Sequence, residues 1–461
     1  MASYAAASTW ALAIGRAWGP RSIMVPLREH WPAIGPGMLA ESYSQLVTII
    51  CQLAIFPLML LLWGPERYGG WLALTALLAY TSLADLGLSQ VTAIDMAMLA
   101  ARGERPAARR VSQTLWALNA GAALLVTLAT GAAAFALPIA RLVNVSEESA
   151  AEVSLTTLLL GGAAALQLLY AAPSAGMKAT GHFPLMVASG ATLRFADAVV
   201  LAIGAWVGLG FGGIALLLLC ERMILTAGFC SYFYGREPWL LPRLAPGDRA
   251  ILRRLLAPAL SYLSYTLAQL ISVQGVVLIV AALLGPGAVA VLSAIRTLTR
   301  AGRMASVIIN HAAEPVLARL AGLDSAAFRA VARLQAVSAG GLTLAYAIAM
   351  MAAGPSILAW WTAGRVSGDS GLFTAMVLSV VAEMLWLTLQ TPYLATNRHP
   401  RLALSNLIVA LIGALATVGG VAWGGLDWAG YVSCGSNGAI LFLTLLAGRM
   451  GRHDWTPSHA A

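Results

Sequence analysis

Arg296, Arg300 and Arg303 stand at i, i+4 and i+7 within the apolar stretch 288–316. That spacing sets all three on one face of a helix. They would lie roughly 12–23 Å from the outer end of the stretch, bracketing the middle of a bilayer. A charge at that depth costs about 2.5–3.5 kcal/mol on insertion scales, and three like charges also repel one another. The stripe must therefore face water, acids of neighbouring helices or an anionic ligand. Guanidinium groups grip phosphate oxygens bidentately, which makes a phosphate-bearing ligand the chemically matched one. A voltage sensor is not matched, because arginines at every third residue over several turns are absent.

Other charges fall in similar stretches. Arg194 and Asp197 are at i, i+3 within 187–208, a spacing that permits an intrahelical pair. Glu221 and Arg222 are adjacent within 212–234; they point about 100° apart, so each must find another helix or a cleft. Glu383 has no charged neighbour within a turn and either carries a proton or balances an arginine. Asp85 is deep in 71–97, whereas Asp95 and Glu41 are close to a boundary. His311, beside Asn310 and Glu314, reads as interfacial. The candidates for holding an anion are Arg296, Arg300 and Arg303, with Arg194 and Arg222 behind them. Those for ion coupling or counter-charge are Glu383, Asp85, Asp197 and Glu221. The four cysteines lie in apolar runs without metal-ligand spacing, and no Ser-His-Asp, Cys-His, HExxH, Walker or GxGxxG arrangement is present. No metal, cofactor or catalytic set is expected, and the chain does not read as an enzyme.

The elements that position these residues follow from composition. Of 461 residues, 59% are hydrophobic and 10% charged, where soluble domains average about 45–50% and about 25%. With a mean hydropathy of +0.79, a soluble enzyme, a disordered scaffold and a disulfide-rich secreted domain are excluded. The apolar runs are too long for a membrane β-barrel, so an all-α polytopic membrane protein is predicted. About twelve spans are expected, at 38–63, 71–97, 114–136, 154–176, 187–208, 212–234, 257–283, 288–316, 331–354, 372–394, 401–423 and 428–448. A net charge of +9 reads as loop arginines that set topology, not as nucleic-acid binding. Placing both termini in the cytoplasm puts twenty basic residues in the inner segments and only Arg67, Arg141 and Arg365 outside, a strong positive-inside bias. The Arg- and Pro-rich segment 235–256 reads as a cytoplasmic linker between six-helix bundles at 38–234 and 257–448. Residues 1–37 read as a cytoplasmic arm, and 449–461 as a tail. A shift of 221 residues superposes Gly64-Pro65 on Gly285-Pro286 and sets Ser42-Tyr43 near Ser261-Tyr262. This points to a parallel repeat about an axis along the membrane normal.

These residues resemble a known pattern. Tyr68-Gly69 after the first span, Asp85-Leu86-Gly87-Leu88 in the second, Gly285-Pro286 and Pro315 around the eighth, and Pro392 followed by Thr396-Asn397-Arg398 resemble the O-antigen and exopolysaccharide flippases of the multidrug, oligosaccharidyl-lipid and polysaccharide exporter superfamily. The resemblance covers about 38–448. It implies an inner-membrane flippase that moves an oligosaccharide on undecaprenyl diphosphate by alternating access between two bundles, driven by a proton or sodium gradient. The cleft arginines would bind the diphosphate, with membrane lipids as the other partners. A multidrug or cation exporter of the superfamily is the nearest rival and should prefer an acidic cleft. A polysaccharide polymerase or ligase would need a larger outer loop than the chain has.

Overall fold

A computed structural model describes residues 20–142, 149–242, 247–320, 325–368, 371–395 and 400–450. Much of the arm, the tail from 451 and Thr396-Asn397-Arg398 lie outside them. The described residues are overwhelmingly helical, with no strand among them.

Helix α1 runs Pro20–Ala79. It begins inside the segment expected to be an arm, and it breaks at Gly64 (φ 74°, ψ 173°), a conformation essentially reserved for glycine. Pro65 follows and cannot donate a helical hydrogen bond. The chain doubles back here: the Phe56 and Tyr68 rings are 5.3 Å apart, whereas twelve residues of straight helix would separate them by about 18 Å. The first two expected spans are therefore the limbs of one hairpin. A 3₁₀ turn, Tyr80–Asp85, leads to α2 (Leu88–Ala101) through left-handed Leu86 and Gly87. Then come α3 (Arg105–Ala136), the short α4 (Ile139–Leu142), α5 (Ala150–Ala179), α6 (Phe183–Val207) and α7 (Phe211–Arg236). Ser149 caps α5 by accepting from Glu152 N at 3.1 Å.

Asp248 caps α8 (Arg249–Leu270), accepting from Ala250 N at 2.9 Å. A π turn, Ile271–Gly275, joins α8 to α9 (Val276–Leu284). Gly285 (φ 86°, ψ 175°) then repeats the backbone conformation of Gly64 and starts α10 (Pro286–Arg300). The remaining helices are α11 (Arg303–Leu320), α12 (Ser325–Trp361), α13 (Gly371–Ala395), α14 (Pro400–Gly424) and α15 (Asp427–Met450). One expectation is corrected here. The stretch 288–316 is not one helix but breaks at Ala301-Gly302. The Tyr346 ring occupies the place where a side chain on Gly302 would be, since a Cβ there would stand 2.1 Å from it. The Tyr346 hydroxyl donates to the Thr299 carbonyl at 2.5 Å, satisfying an acceptor at the break.

Ten helical stretches among the described residues are long and apolar enough to cross a membrane. The first, Leu39–Ala100, holds both limbs of the hairpin. The α10–α11 rod is not among the ten because it is split and carries the arginines, which accounts for the difference from twelve. Trp206, Trp360 and Trp423, at the ends of α6, α12 and α14, are 77%, 82% and 82% exposed. Indoles so bare suit a membrane interface, not water.

The segments before and after the linker meet at both ends. At the Gly64/Gly285 end, Phe56, Trp63, Tyr68 and Trp71 share a core with Phe211, Val289, Leu292, Ile295 and Phe373. Gly69 lies directly on Pro286, whose carbonyl oxygen would be 1.8 Å from any Cβ. Gly287 N donates to Glu66 Oε2 at 3.1 Å, and Trp361 Nε1 donates to the Leu53 carbonyl at 2.8 Å. At the linker end, Leu88, Val91, Met96 and Leu115 pack on Leu255 and Ala259, and Arg254 pairs with Asp95.

Candidate functional site

Between these two regions of contact lies a cleft of about 560 Å³. The α1 hairpin supplies an aromatic wall, Phe56, Tyr68 and Trp71, with Gln52 and Thr75 beside it. Asp197 of α6 and Arg222 of α7 face them, and α10 contributes Ser293, Arg296 and Thr297. A second, smaller recess of about 100 Å³ lies among α8, the π turn, α10, α13, α14 and α15. Its lining includes Arg296, Arg300, Glu383, Ser272, Asn406 and Ser436. Arg296 borders both spaces.

The structure divides the expected arginine stripe. Arg300 Nη2 and Arg303 Nε lie 3.2 and 2.9 Å from one atom, Oε1 of Glu383. Glu383 is thus the counter-ion of two arginines. It joins the last residue of α10 to the first of α11 across the break. Arg296 takes no part in this pairing. Its Nη1 donates to the Val273 carbonyl at 2.9 Å. A π turn widens the helical ring and leaves carbonyls open to outside donors, and Arg296 takes one of them. Among the described residues Arg296 has no carboxylate partner.

The anticipated Arg194–Asp197 pair does not form. Arg194 is exposed and donates to Ser44 Oγ at 2.6 Å. Asp197 instead accepts from Arg222 Nη2 at 2.5 Å, while Arg222 Nη1 reaches Gln167 Oε1 at 3.2 Å. Arg194 is held by Ser44 of α1, and the guanidinium of α7 takes its place at Asp197. Glu221 stands beside Asp197 and Arg222, with both carboxylate oxygens buried and making no hydrogen bond among the described residues. Asp85 is separate from both cavities. Its carboxylate accepts from Ser89 Oγ and from Ser89 N, the latter at 3.3 Å, and so caps the start of α2. The expected residues therefore fall into two groups and two isolated positions. Arg296, Arg300, Arg303 and Glu383 are one, Arg222, Asp197 and Glu221 are another, and Arg194 and Asp85 each stand apart. Sequence reasoning missed Gln167, Ser44 and the Val273 carbonyl. Gln167 was findable as a lone amide in an apolar run.

No protein-family model and no curated protein sequence matches the chain. Solved structures do. An inward-facing multidrug resistance MATE family transporter of the MOP superfamily superposes with a TM-score of 0.72 at 16% identity, over 92% of this chain and 100% of that one. The chain has the fold of these transporters. The lipid II flippase MurJ, in an inward closed conformation, matches with a TM-score of 0.68 at 11% identity, over 89% of this chain and 87% of its own. An outward-facing MATE family transporter matches at 0.59 with 18% identity, over 91% of this chain and 95% of its own.

Proposed function

We propose that the chain is an alternating-access flippase of the bacterial inner membrane that carries an oligosaccharide linked to undecaprenyl diphosphate, for cell-surface polysaccharide synthesis. The observation that carries this reading is the charge balance around the cavities. Beside α6 and α7, Arg222 is matched by Asp197, with Glu221 next to them. Beside α10 and α11, three arginines meet one carboxylate, Glu383. An uncompensated buried charge is costly and is retained where a ligand supplies the missing partner. Arg296 and Arg222 border the cleft and offer bidentate donors for a diphosphate, while the aromatic wall opposite offers flat faces to sugar rings. The bundles 38–234 and 257–448 rock about this cleft. Both termini and the Arg-rich linker 235–256 are cytoplasmic, and a proton or sodium gradient drives the cycle.

A second reading, export of cationic drugs, draws on Glu221, whose carboxylate lacks a hydrogen bond beside Asp197, and on the same aromatic wall. No observation favours a polymerase or ligase. The two readings separate in a binding assay on the purified protein in detergent. A fluorescent polyprenyl-diphosphate saccharide should bind, Arg296→Gln should weaken it at least tenfold, and Arg296→Lys should recover it in part. Ethidium bound tightly by the wild type, with the diphosphate lipid ignored, would sink the flippase reading in favour of the exporter.

A further inference from the structure

The small recess behind Arg296 is chemically unlike the cleft. Its charged lining is Arg296, Arg300 and Glu383, and its neutral lining includes Ser272, Ser379, Asn406, Ser436 and Asn437. Ser379 and Asn437 already bond each other at 2.9 Å. The single carboxylate is committed, because Oε1 of Glu383 takes both Arg300 and Arg303. The recess thus presents two guanidinium groups, one of them without any acid, together with hydroxyl and amide donors.

We propose that this recess is a seat for a small inorganic anion of the halide class, with chloride as the physiological occupant, held by Arg296 and Arg300. Three arguments converge on that chemistry. The local charge is positive, with one acid shared by Arg300 and Arg303 and none on Arg296 among the described residues, so the missing partner is an anion and not a metal ion. The space open to water-sized centres is small, about 100 Å³, which is room for a halide and several waters. A lipid-linked diphosphate carries a substituent at each end and does not fit so small a space among six helices and a π turn; it would have to stay in the cleft. The anion seat therefore lies on the far side of Arg296 from the proposed cargo, and it stands whatever that cargo is.

The consequence is a division of labour around one side chain. An anion behind Arg296 supplies its counter-charge when the cleft is empty, so that Arg296 needs no acid of its own. The test uses the full chain purified in detergent, with sodium bromide as the probe. Crystals soaked in bromide should show an anomalous peak in the recess, between Arg296 and Arg300. In solution, the thermal midpoint should rise saturably when sodium gluconate is replaced by sodium chloride or bromide at equal ionic strength. Arg296→Gln should reduce the apparent halide affinity at least tenfold. Because that variant can also disturb the π turn, Ser436→Val serves as a second probe; it fills the recess without removing charge and should abolish the halide response. A midpoint indifferent to halide, a bromide peak in the cleft beside Arg222 only, or an unchanged halide response in both variants would overturn the proposal. None of these readouts involves a lipid or a sugar, so failure here is distinct from failure of the flippase reading.

Discussion

Replacing Glu383 by glutamine removes one negative charge and almost no volume. In the native protein its Oε1 lies 3.2 Å from Arg300 Nη2 and 2.9 Å from Arg303 Nε, with the Glu383 side chain 6% exposed and the arginines 28% and 31%. Each such pair is worth about 4 kcal/mol gross at an effective dielectric of ~20, and the cost of dehydrating the carboxylate offsets much of that. Breaking a buried pair by deleting one partner costs about 3–5 kcal/mol. Because both arginine side chains keep partial exposure, 28% and 31%, we expect the lower end, about 3 kcal/mol. Equilibrium unfolding with urea in mixed micelles, followed by tryptophan fluorescence, measures it. The double variant Glu383→Gln/Arg303→Gln should regain about 1–3 kcal/mol relative to the sum of the single variants. A single-variant loss below about 0.5 kcal/mol, typical of an exposed pair, or strict additivity in the double variant would refute the assignment of Glu383 as shared counter-ion.

Gly69→Ala drives a Cβ into the Pro286 carbonyl and should part the two segments at that end. Disulfide yield between Glu66→Cys and Gly287→Cys should fall sharply in that background, while Gly121→Ala, which meets no atom within 4 Å, should leave it unchanged. Asp85→Ala should cost about 1 kcal/mol through the lost cap on α2 and spare transport, and abolished transport at normal abundance would instead make Asp85 an ion carrier. Arg222→Gln leaves Asp197 and Glu221 facing each other, so it should lower the melting temperature more than Arg194→Gln, whose guanidinium only bonds Ser44. Cysteines at Gly103 and Gly181 should react with an impermeant thiol reagent from the cytoplasmic face and cysteines at Gly64 and Gly285 from the other, and labelling of all four from one face would break the topology.

The helical hairpins were legible because lipid enforces long apolar runs and because Gly-Pro cannot continue a helix. The matching conformations of Gly64 and Gly285 were foreshadowed by their 221-residue separation. The break at Ala301-Gly302 was not legible: its cause is the Tyr346 ring from a distant helix, and an isolated glycine carries no such information. The types of the site residues were readable, but their pairing was not. The i, i+3 rule offered Arg194 to Asp197, yet Arg222 arrives from another helix. The stripe geometry likewise assumed an unbroken helix, so it treated as equivalent three arginines of which two share the single charge of Glu383 and one instead holds a π-turn carbonyl.

Both guanidinium groups that flank the break between α10 and α11 converge on a single oxygen. Two struts that meet at one point form a pivot, and two that end on separate points form a brace. A shared oxygen keeps both ion pairs within reach over a wider range of angles between the half-helices than two separate oxygens would. A side chain that split the two arginines between its two oxygens would lock the angle. Selection for motion at this joint would accordingly act on the choice of atom as much as on the choice of residue.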